Sequence, residues 1–342
     1  MRKTIFAMAA LAGLLFSSCE NDSWEFPNYD HTAVYFAYQS PIRTITLGED
    51  YYDTSLDNEH KFQIMATMGG VYSNDHYIAI DFKVDNTLCT DFVFKGTTDD
   101  VVPMPSNYYQ LESNRIVIPS GKVIGGVTVK LTDEYFNDPM ATKLNYVIPV
   151  VITGVTGADS ILVGKPQEGV SAPNRLISTD WAVQPKDYVL YAVKYISKYH
   201  ANYLRRGQDV YTGAINRTDV RHAAYVEKDE VVLNEFSTLG LNAVQWARPT
   251  QDADKNNVEC NLKLSFDESG NCTVSSNSAN VEASGTGRYV VKGDKNSWGG
   301  KDRDVLYLDY TVKYAGITCA SKDTLVVRDR GVKAEWFNVT RK

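Results

Sequence analysis

Along most of the chain, apolar and polar residues alternate with a period of two. Ile78, Ile80, Phe82 and Val84 alternate with Ala79, Asp81 and Lys83, and Val127, Val129 and Leu131 with Thr128 and Lys130. Val258, Cys260, Leu262, Leu264 and Phe266 alternate with Glu259, Asn261, Lys263 and Ser265, and Leu306, Leu308 and Tyr310 give a fourth run. Such runs predict strands with one buried and one solvated face. Shorter strands are expected at 34–36, 43–47, 62–66, 115–118, 146–152, 188–194, 288–292 and 325–328. Pro149 places its strand at an edge or a bulge, because it has no amide hydrogen to give to a ladder. No long helical period is present; 133–137 has room for one short turn. The fold class is therefore all-β, built as sandwiches or barrels.

The length of 342 residues suits two domains at about 150 residues each. Gly157, Gly164, Pro166, Gly169, Pro173 and Pro185 interrupt the strand pattern, which resumes at Tyr188. The expected division is a leader at 1–18, a tether at 19–30, an N-terminal β domain at 31–160, a linker at 161–185 and a C-terminal all-β domain at 186–342. The second domain fits either a sandwich or a barrel.

The N-terminus reads as an address. Arg2 and Lys3 precede the apolar run Ile5–Phe16, which is too short to span a bilayer and suits a signal-peptide core. Ser17-Ser18-Cys19 then resembles a bacterial lipobox, with Phe16 where that pattern prefers Leu. The resemblance implies a lipid on Cys19, which becomes the first mature residue. Glu20 and Asp22 resemble the surface-export signal of Bacteroidetes lipoproteins. No other apolar run reaches 18 residues, so the expected location is the outer membrane, lipid-anchored and facing the cell exterior.

Charge removes one class of function. The chain carries 35 Lys and Arg against 42 Asp and Glu, a net charge of −7. Loss of the leader removes two cations and no acid. So acidic a chain has no general attraction for phosphate backbones, and a nucleic-acid partner is not expected. Four cysteines remain after Cys19: Cys89, Cys260, Cys272 and Cys319. Across the turn at 267–270, Cys260 and Cys272 are out of register by about four residues, roughly 13 Å, beyond disulfide reach. Cys260 shares the apolar phase of its strand, so a buried free thiol is expected.

The histidines, His31, His60, His76, His200 and His222, form no HExxH or HxH arrangement, so no metal site is expected. The stretch 252–257 imitates a calcium loop, but Asn257 stands where Gly is needed and Lys263 where Glu is needed. Gly285-Thr286-Gly287 leads into a strand rather than a helix and cradles no phosphate. No Gly-x-Ser-x-Gly elbow occurs. The expectation is no cofactor and no catalysis.

The run from Val34 to Gly48, Val-Tyr-Phe-Ala-Tyr-Gln-Ser-Pro-Ile-Arg-Thr-Ile-Thr-Leu-Gly, resembles the opening of an N-terminal domain of Bacteroidetes surface lipoproteins. The same domain precedes the barrel of some family 18 endo-β-N-acetylglucosaminidases. Asp57-Asn58-Glu59-His60, Tyr108-Tyr109, Ile116–Gly121 and Tyr146-Val147-Ile148-Pro149 continue the likeness. Tyr188–Tyr195 and Tyr203-Leu204-Arg205-Arg206-Gly207 resemble the all-β domain paired with it in glycan-binding lipoproteins of polysaccharide-utilisation loci. The resemblance implies an immunoglobulin-like sandwich first. It also implies a cell-surface lipoprotein that binds glycan without cleaving it, beside an outer-membrane importer and glycosidases of the same locus. A structural or adhesin-like lipoprotein without a sugar ligand is the other reading. The Asp-x-x-Asp-x-Asp-x-Glu run of family 18 enzymes is absent, and the chain has no room for their barrel, of about 250 residues.

Flat aromatic rings stack on the apolar faces of sugars while nearby polar groups bond hydroxyls. Trp298, in a glycine-rich loop, Trp246, and Tyr199, His200 and Tyr203 with Arg205 are therefore the candidate glycan-binding residues. Each aromatic could equally fill an end of a β core.

Overall fold

The computed structural model describes residues 29–342; Cys19 and the leader lie outside the described residues. Strand accounts for 51% and helix for 8%, and two sheet-rich units are present.

In the first unit one sheet runs, by neighbour, through Ala33–Tyr35, Lys61–Gly69, Ile124–Leu131, Arg115–Ile118, Ile78–Val84, Tyr146–Thr156, Tyr188–Ile196 and Pro41–Thr46. It folds over on itself as a sandwich. Phe62 stacks on Tyr191 at 5.4 Å and 13°, although their strands are five places apart in the sheet. The residues placed inward by the alternation, among them Ile64, Ile78, Ile80, Ile116, Val129 and Ile148, are fully buried between the layers. Tyr146–Thr156 is a central strand, not an edge. Its Pro149 faces the point where the Ile78–Val84 ladder ends, and Asp85 N–H donates to the Pro149 carbonyl there. The missing amide hydrogen thus costs no ladder bond, and the bulge comes later, between Ile152 and Gly154.

The boundary expected at 186 moves. Tyr188–Ile196 pairs in parallel with Pro41–Thr46 and antiparallel with Tyr146–Thr156. Val189, Val193 and Tyr195 lie in the first core, so the strand belongs to the N-terminal sandwich. The chain also returns after the second domain. Glu335–Trp336 pairs with Pro41 and Ile42, and Val339–Arg341 pairs with Phe92–Phe94.

The second unit is an antiparallel meander. Its order is Asn202–Gly213, Ile317–Asp329, Arg303–Tyr314, Glu282–Asp294, Asn271–Ser276, Asn261–Phe266, Ala243–Ala247 and Phe236–Gly240. The sheet rolls on itself into a barrel-like form. Asn202–Gly213 and Ala243–Ala247 are six places apart, yet the Arg205 guanidinium lies 5.1 Å from the Trp246 ring centroid. One core, with Leu262, Leu264, Leu306, Val312 and Leu325 fully buried, fills the roll. Cys260 and Cys272 are buried free thiols. Phe266 pairs with Cys272, which leaves Cys260 well beyond that rung.

Arg330 joins the two units. It is 1% exposed. It donates to the carbonyl of Glu49 from the sandwich, at 3.0 Å, and to that of Lys198 from the connection.

Candidate functional site

A polar network stands inside the barrel where an apolar core is expected. On Asn202–Gly213, residues 203, 205, 207, 209 and 211 share the inward phase, so Arg205 and Asp209 point into the core. On the neighbouring Ile317–Asp329 strand the same phase brings in Cys319, Ser321 and Asp323. Asp323 accepts from Arg205 Nε at 3.0 Å and Nη2 at 2.9 Å, from Arg221 Nη2 at 2.9 Å and from the Tyr310 hydroxyl at 2.8 Å. Asp209 accepts from Arg221 at 2.7 Å, Arg248 at 3.1 Å, Ser321 at 2.5 Å and the Tyr211 hydroxyl at 3.3 Å. Burial resists ionisation of Asp209. Arg248, Arg221, Ser321 and Arg205 outweigh it and pull its pKa down to about 2. Gly207 lies opposite Asp323 in the ladder. A Cβ there would sit 2.7 Å from the Asp323 carboxylate and 2.1 Å from the Lys322 carbonyl, so the glycine provides the room for the carboxylate.

This network is the floor of a cleft of about 480 Å³ at one end of the barrel. Arg248 and Tyr211, both held by Asp209, form its base. Tyr314 and Cys260 line it beside them, and Arg217, Gln251, Asn257, Glu259 and Asn261 form its rim. The Arg217 guanidinium lies over the Tyr211 ring at 4.6 Å. Rim groups pre-orient one another: Gln251 Nε2 donates to Asn257 Oδ1 at 3.2 Å, and Asn261 Nδ2 to Glu259 Oε1 at 2.8 Å. Planar amides, one guanidinium and one carboxylate around a half-buried aromatic base can bond several hydroxyls at once, although Arg217 covers the Tyr211 ring as Arg303 covers that of Trp298.

The candidates chosen from sequence lie elsewhere. Trp246 is fully buried, stacked on Phe236 at 5.4 Å and 14°, with its indole N–H donated to Glu235 at 2.9 Å. Tyr199 stacks on Phe266 at 3.6 Å, and the Tyr203 hydroxyl donates to the Tyr199 carbonyl at 2.6 Å. Both tyrosines are buried, as is Arg205. These four gather inside the roll, out of reach of a sugar, because large flat rings fill its interior. Trp298 is half-buried on the outside, packed against the Leu204, Val305 and Val326 cluster. The Arg303 guanidinium covers its ring at 4.7 Å. The neighbouring glycines leave it uncovered, but Arg303, five positions on, does not. Of the sequence 252–257, Asn257 reaches the cleft. The Asp252 carboxylate instead accepts the backbone N–H groups of Asp254 and Asn256 within its own turn.

His200 lines a smaller cleft of about 240 Å³ between the two units, beside Lys194 and Arg330. Burial first, and then Arg330 and Lys194, lower its pKa to about 4. Its ordinary value is near 6.5. The stability it contributes is therefore complete above pH 6.5 and is lost as the pH falls towards 4. Between pH 7 and pH 5 the wild type should lose about 2 kcal/mol more than His200→Asn, read by urea denaturation at each pH. Equal losses in the two proteins would show that His200 titrates as freely folded as unfolded.

Two family profiles match, one within each unit. Residues 28–159 match a family profile described as an N-terminal domain, and residues 198–331 one described as a domain of unknown function, DUF5627. A crystal structure of a protein of unknown function from Bacteroides ovatus is 47% identical, with a TM-score of 0.83. The match covers 92% of this chain and 100% of that one. The chain belongs to the family of that Bacteroides protein. A second Bacteroides ovatus protein of unknown function is 14% identical, over 90% of this chain and 100% of its own, at a TM-score of 0.40. An auxiliary nutrient binding protein from Bacteroides thetaiotaomicron is 15% identical, over 86% and 95%, at 0.36. No curated protein matches the chain. The second profile begins just past Ile196, where the sheet pairing changes domain, whereas the first ends at 159, short of the Tyr188–Ile196 strand that completes the sandwich.

Proposed function

We propose that this protein is a lipid-anchored cell-surface lipoprotein that binds oligosaccharide in the barrel-end cleft and does not cleave it. The observation that carries the reading is the cleft itself: Tyr211 at its base, with Arg217, Gln251, Asn257, Glu259 and Asn261 at its rim. Its floor is fixed before any ligand arrives, because Asp209 holds both Tyr211 and Arg248. Preorganisation of this kind lowers the entropy lost on binding. Among the lining residues Glu259 is the one carboxylate, whereas most glycoside hydrolases work with a pair. The Ser17-Ser18-Cys19 motif and the acids after it support a lipid at Cys19 and display outside the outer membrane. An importer and glycosidases encoded beside it would be its partners.

Two measurements test this. The mature protein on a glycan array should retain one class of oligosaccharide, and an Arg217→Ala/Asn257→Ala double variant should bind that class at least 10-fold more weakly, about 1.4 kcal/mol. Both changes are at exposed positions, so the thermal midpoint should stay within a degree or two. Wild-type affinity in the double variant, or no retention of any glycan, would remove the cleft from consideration. Labelled palmitate should enter the wild type and not Cys19→Ala.

A further inference from the structure

Of the four tryptophans among the described residues, only Trp336 is exposed. It is 56% accessible, and Tyr38 beside it is 60% accessible. Their ring centroids are 5.6 Å apart and the planes are inclined by 50°, which gives a shallow, two-sided apolar seat. The exposure does not come from a loose backbone. Trp336 pairs with Pro41 at the sheet edge. The next residue, Phe337, is buried against Phe94 at 5.4 Å, and its N–H donates to the Ser40 carbonyl at 3.1 Å. On the other side, Leu190 N–H donates to the Gln39 carbonyl at 2.7 Å, and Gln39 Nε2 to the Phe36 carbonyl at 2.7 Å. Alternation along a pinned strand turns Phe337 inward and Trp336 outward. Ala37 and Ala334, both exposed, are too short to cover the rings.

Two exposed rings held together on a rigid frame form a small apolar seat. We infer that Tyr38 and Trp336 form a second sugar-stacking platform, on the N-terminal sandwich, which seats one pyranose ring of a polysaccharide. The inference rests on the reading of the protein as a glycan binder and adds a site separate from the barrel cleft. A protein partner fits less well. A standard interface covers about 800 Å² on each side around an apolar centre, whereas this seat is an island of two rings. Gln39 and Ser40 follow Tyr38 on the way into Pro41–Thr46, while Glu335, one residue before Trp336, points to the opposite face and pairs with Lys194 there. The apolar C–H face of one sugar ring matches that size, and Gln39 and Ser40 are the polar neighbours next to Tyr38 in the chain. Two sites on one chain would raise avidity for a polymer without changing affinity for a short oligosaccharide.

The test uses the mature protein in native gels containing soluble xylan, mannan, mixed-linkage β-glucan or pectic galactan. At least one polymer should retard the wild type. Trp336→Ala should weaken that retardation at least 10-fold, Trp336→Phe should largely restore it, and binding of an array-identified short oligosaccharide at the cleft should be unchanged. In a second readout, saturating polymer should protect Trp336 from oxidation by N-bromosuccinimide, resolved by peptide mass spectrometry. If Trp336→Ala is retarded like the wild type, or Trp336 oxidises equally fast with and without polymer, the platform fails while the cleft reading stands. If no polymer retards the wild type, the platform fails as well. A loss of binding confined to the Arg217→Ala/Asn257→Ala variant would leave the cleft as the sole site. Capture of a protein partner that Trp336→Ala abolishes, with glycan retardation unaffected, would replace the sugar with a protein at this seat.

Discussion

Asp323→Ala should destabilise the barrel by about 3–5 kcal/mol, the range measured when one partner of a buried ion pair is removed. The carboxylate side chain is inaccessible, and it receives four hydrogen bonds, from Arg205 twice, Arg221 and Tyr310. Its loss leaves the buried Arg205 guanidinium with Asp209 at 3.6 Å and the partly exposed Glu230 at 3.7 Å as its remaining acids. Neither distance is that of a good hydrogen bond. The cost therefore arises less from the lost pair than from a cation left desolvated without compensation. For a domain of this size the midpoint should fall by roughly 10–20 °C. Urea denaturation followed by tryptophan fluorescence reads the change. A loss under 1 kcal/mol would mean that water enters and solvates Arg205, and the network would then be no part of the fixed floor. The same network holds Tyr211 and Arg248 at the cleft, so Asp323→Ala should also weaken glycan binding, unlike the rim variants, through loss of order rather than loss of contact.

How far the sequence foretold this follows from which signals are local. Period-two alternation marks inward and outward faces along a single strand, and it marked Ile78–Val84, Ile124–Leu131 and Asn261–Phe266 in phase with their burial. It also contained the network. Cys319, Ser321, Asp323, Leu325 and Val327 are one inward series, and the two polar members in it were a visible sign that the core is not wholly apolar. Pairing across distance carries no such mark. Nothing in Tyr188–Ile196 says whether its parallel partner is Pro41–Thr46, so a boundary read from the sequence falls before this strand rather than after it. The cleft was hidden for the same reason. Tyr211 and Arg217 face each other in one hairpin and Asn257 and Asn261 belong to another segment, and the two meet only when the sheet rolls.

Aromatic residues show the limit most clearly. Trp246, Tyr199 and Tyr203 suit sugar stacking and core packing alike, and composition cannot separate the two. Burial is decided by the phase of each strand and by what the far side of the roll supplies. Trp336 carried no signal either. In Glu335-Trp336-Phe337 two neighbouring rings compete for one inward position, and only the return of the chain to the N-terminal sandwich gives it to Phe337.

Trp246→Ala should cost about 3–5 kcal/mol, the usual price of truncating a buried large aromatic. The ring is completely inaccessible. It stacks on Phe236 at 5.4 Å, meets Tyr310 edge-on at 6.2 Å and lies under the Arg205 guanidinium at 5.1 Å. Truncation opens a cavity among these groups and removes the donor that Glu235 accepts from at 2.9 Å. Burial already raises the Glu235 pKa, and the hydrogen bond from Trp246 opposes that rise. Without the indole, Glu235 should titrate higher still, and the variant's deficit should grow as the pH rises through the Glu235 pKa. Trp246→Phe, which keeps most of the packing and loses the donor, should fall between wild type and Ala. Arg205 touches both Trp246 and Asp323, so the two losses should not add. A double-mutant cycle should give a coupling of about 0.5–3 kcal/mol. If instead Trp246→Ala kept wild-type stability and lost glycan binding, the ring would have to be a sugar platform after all. Additive losses in the cycle would show that the aromatic core and the ion network are independent parts of the barrel.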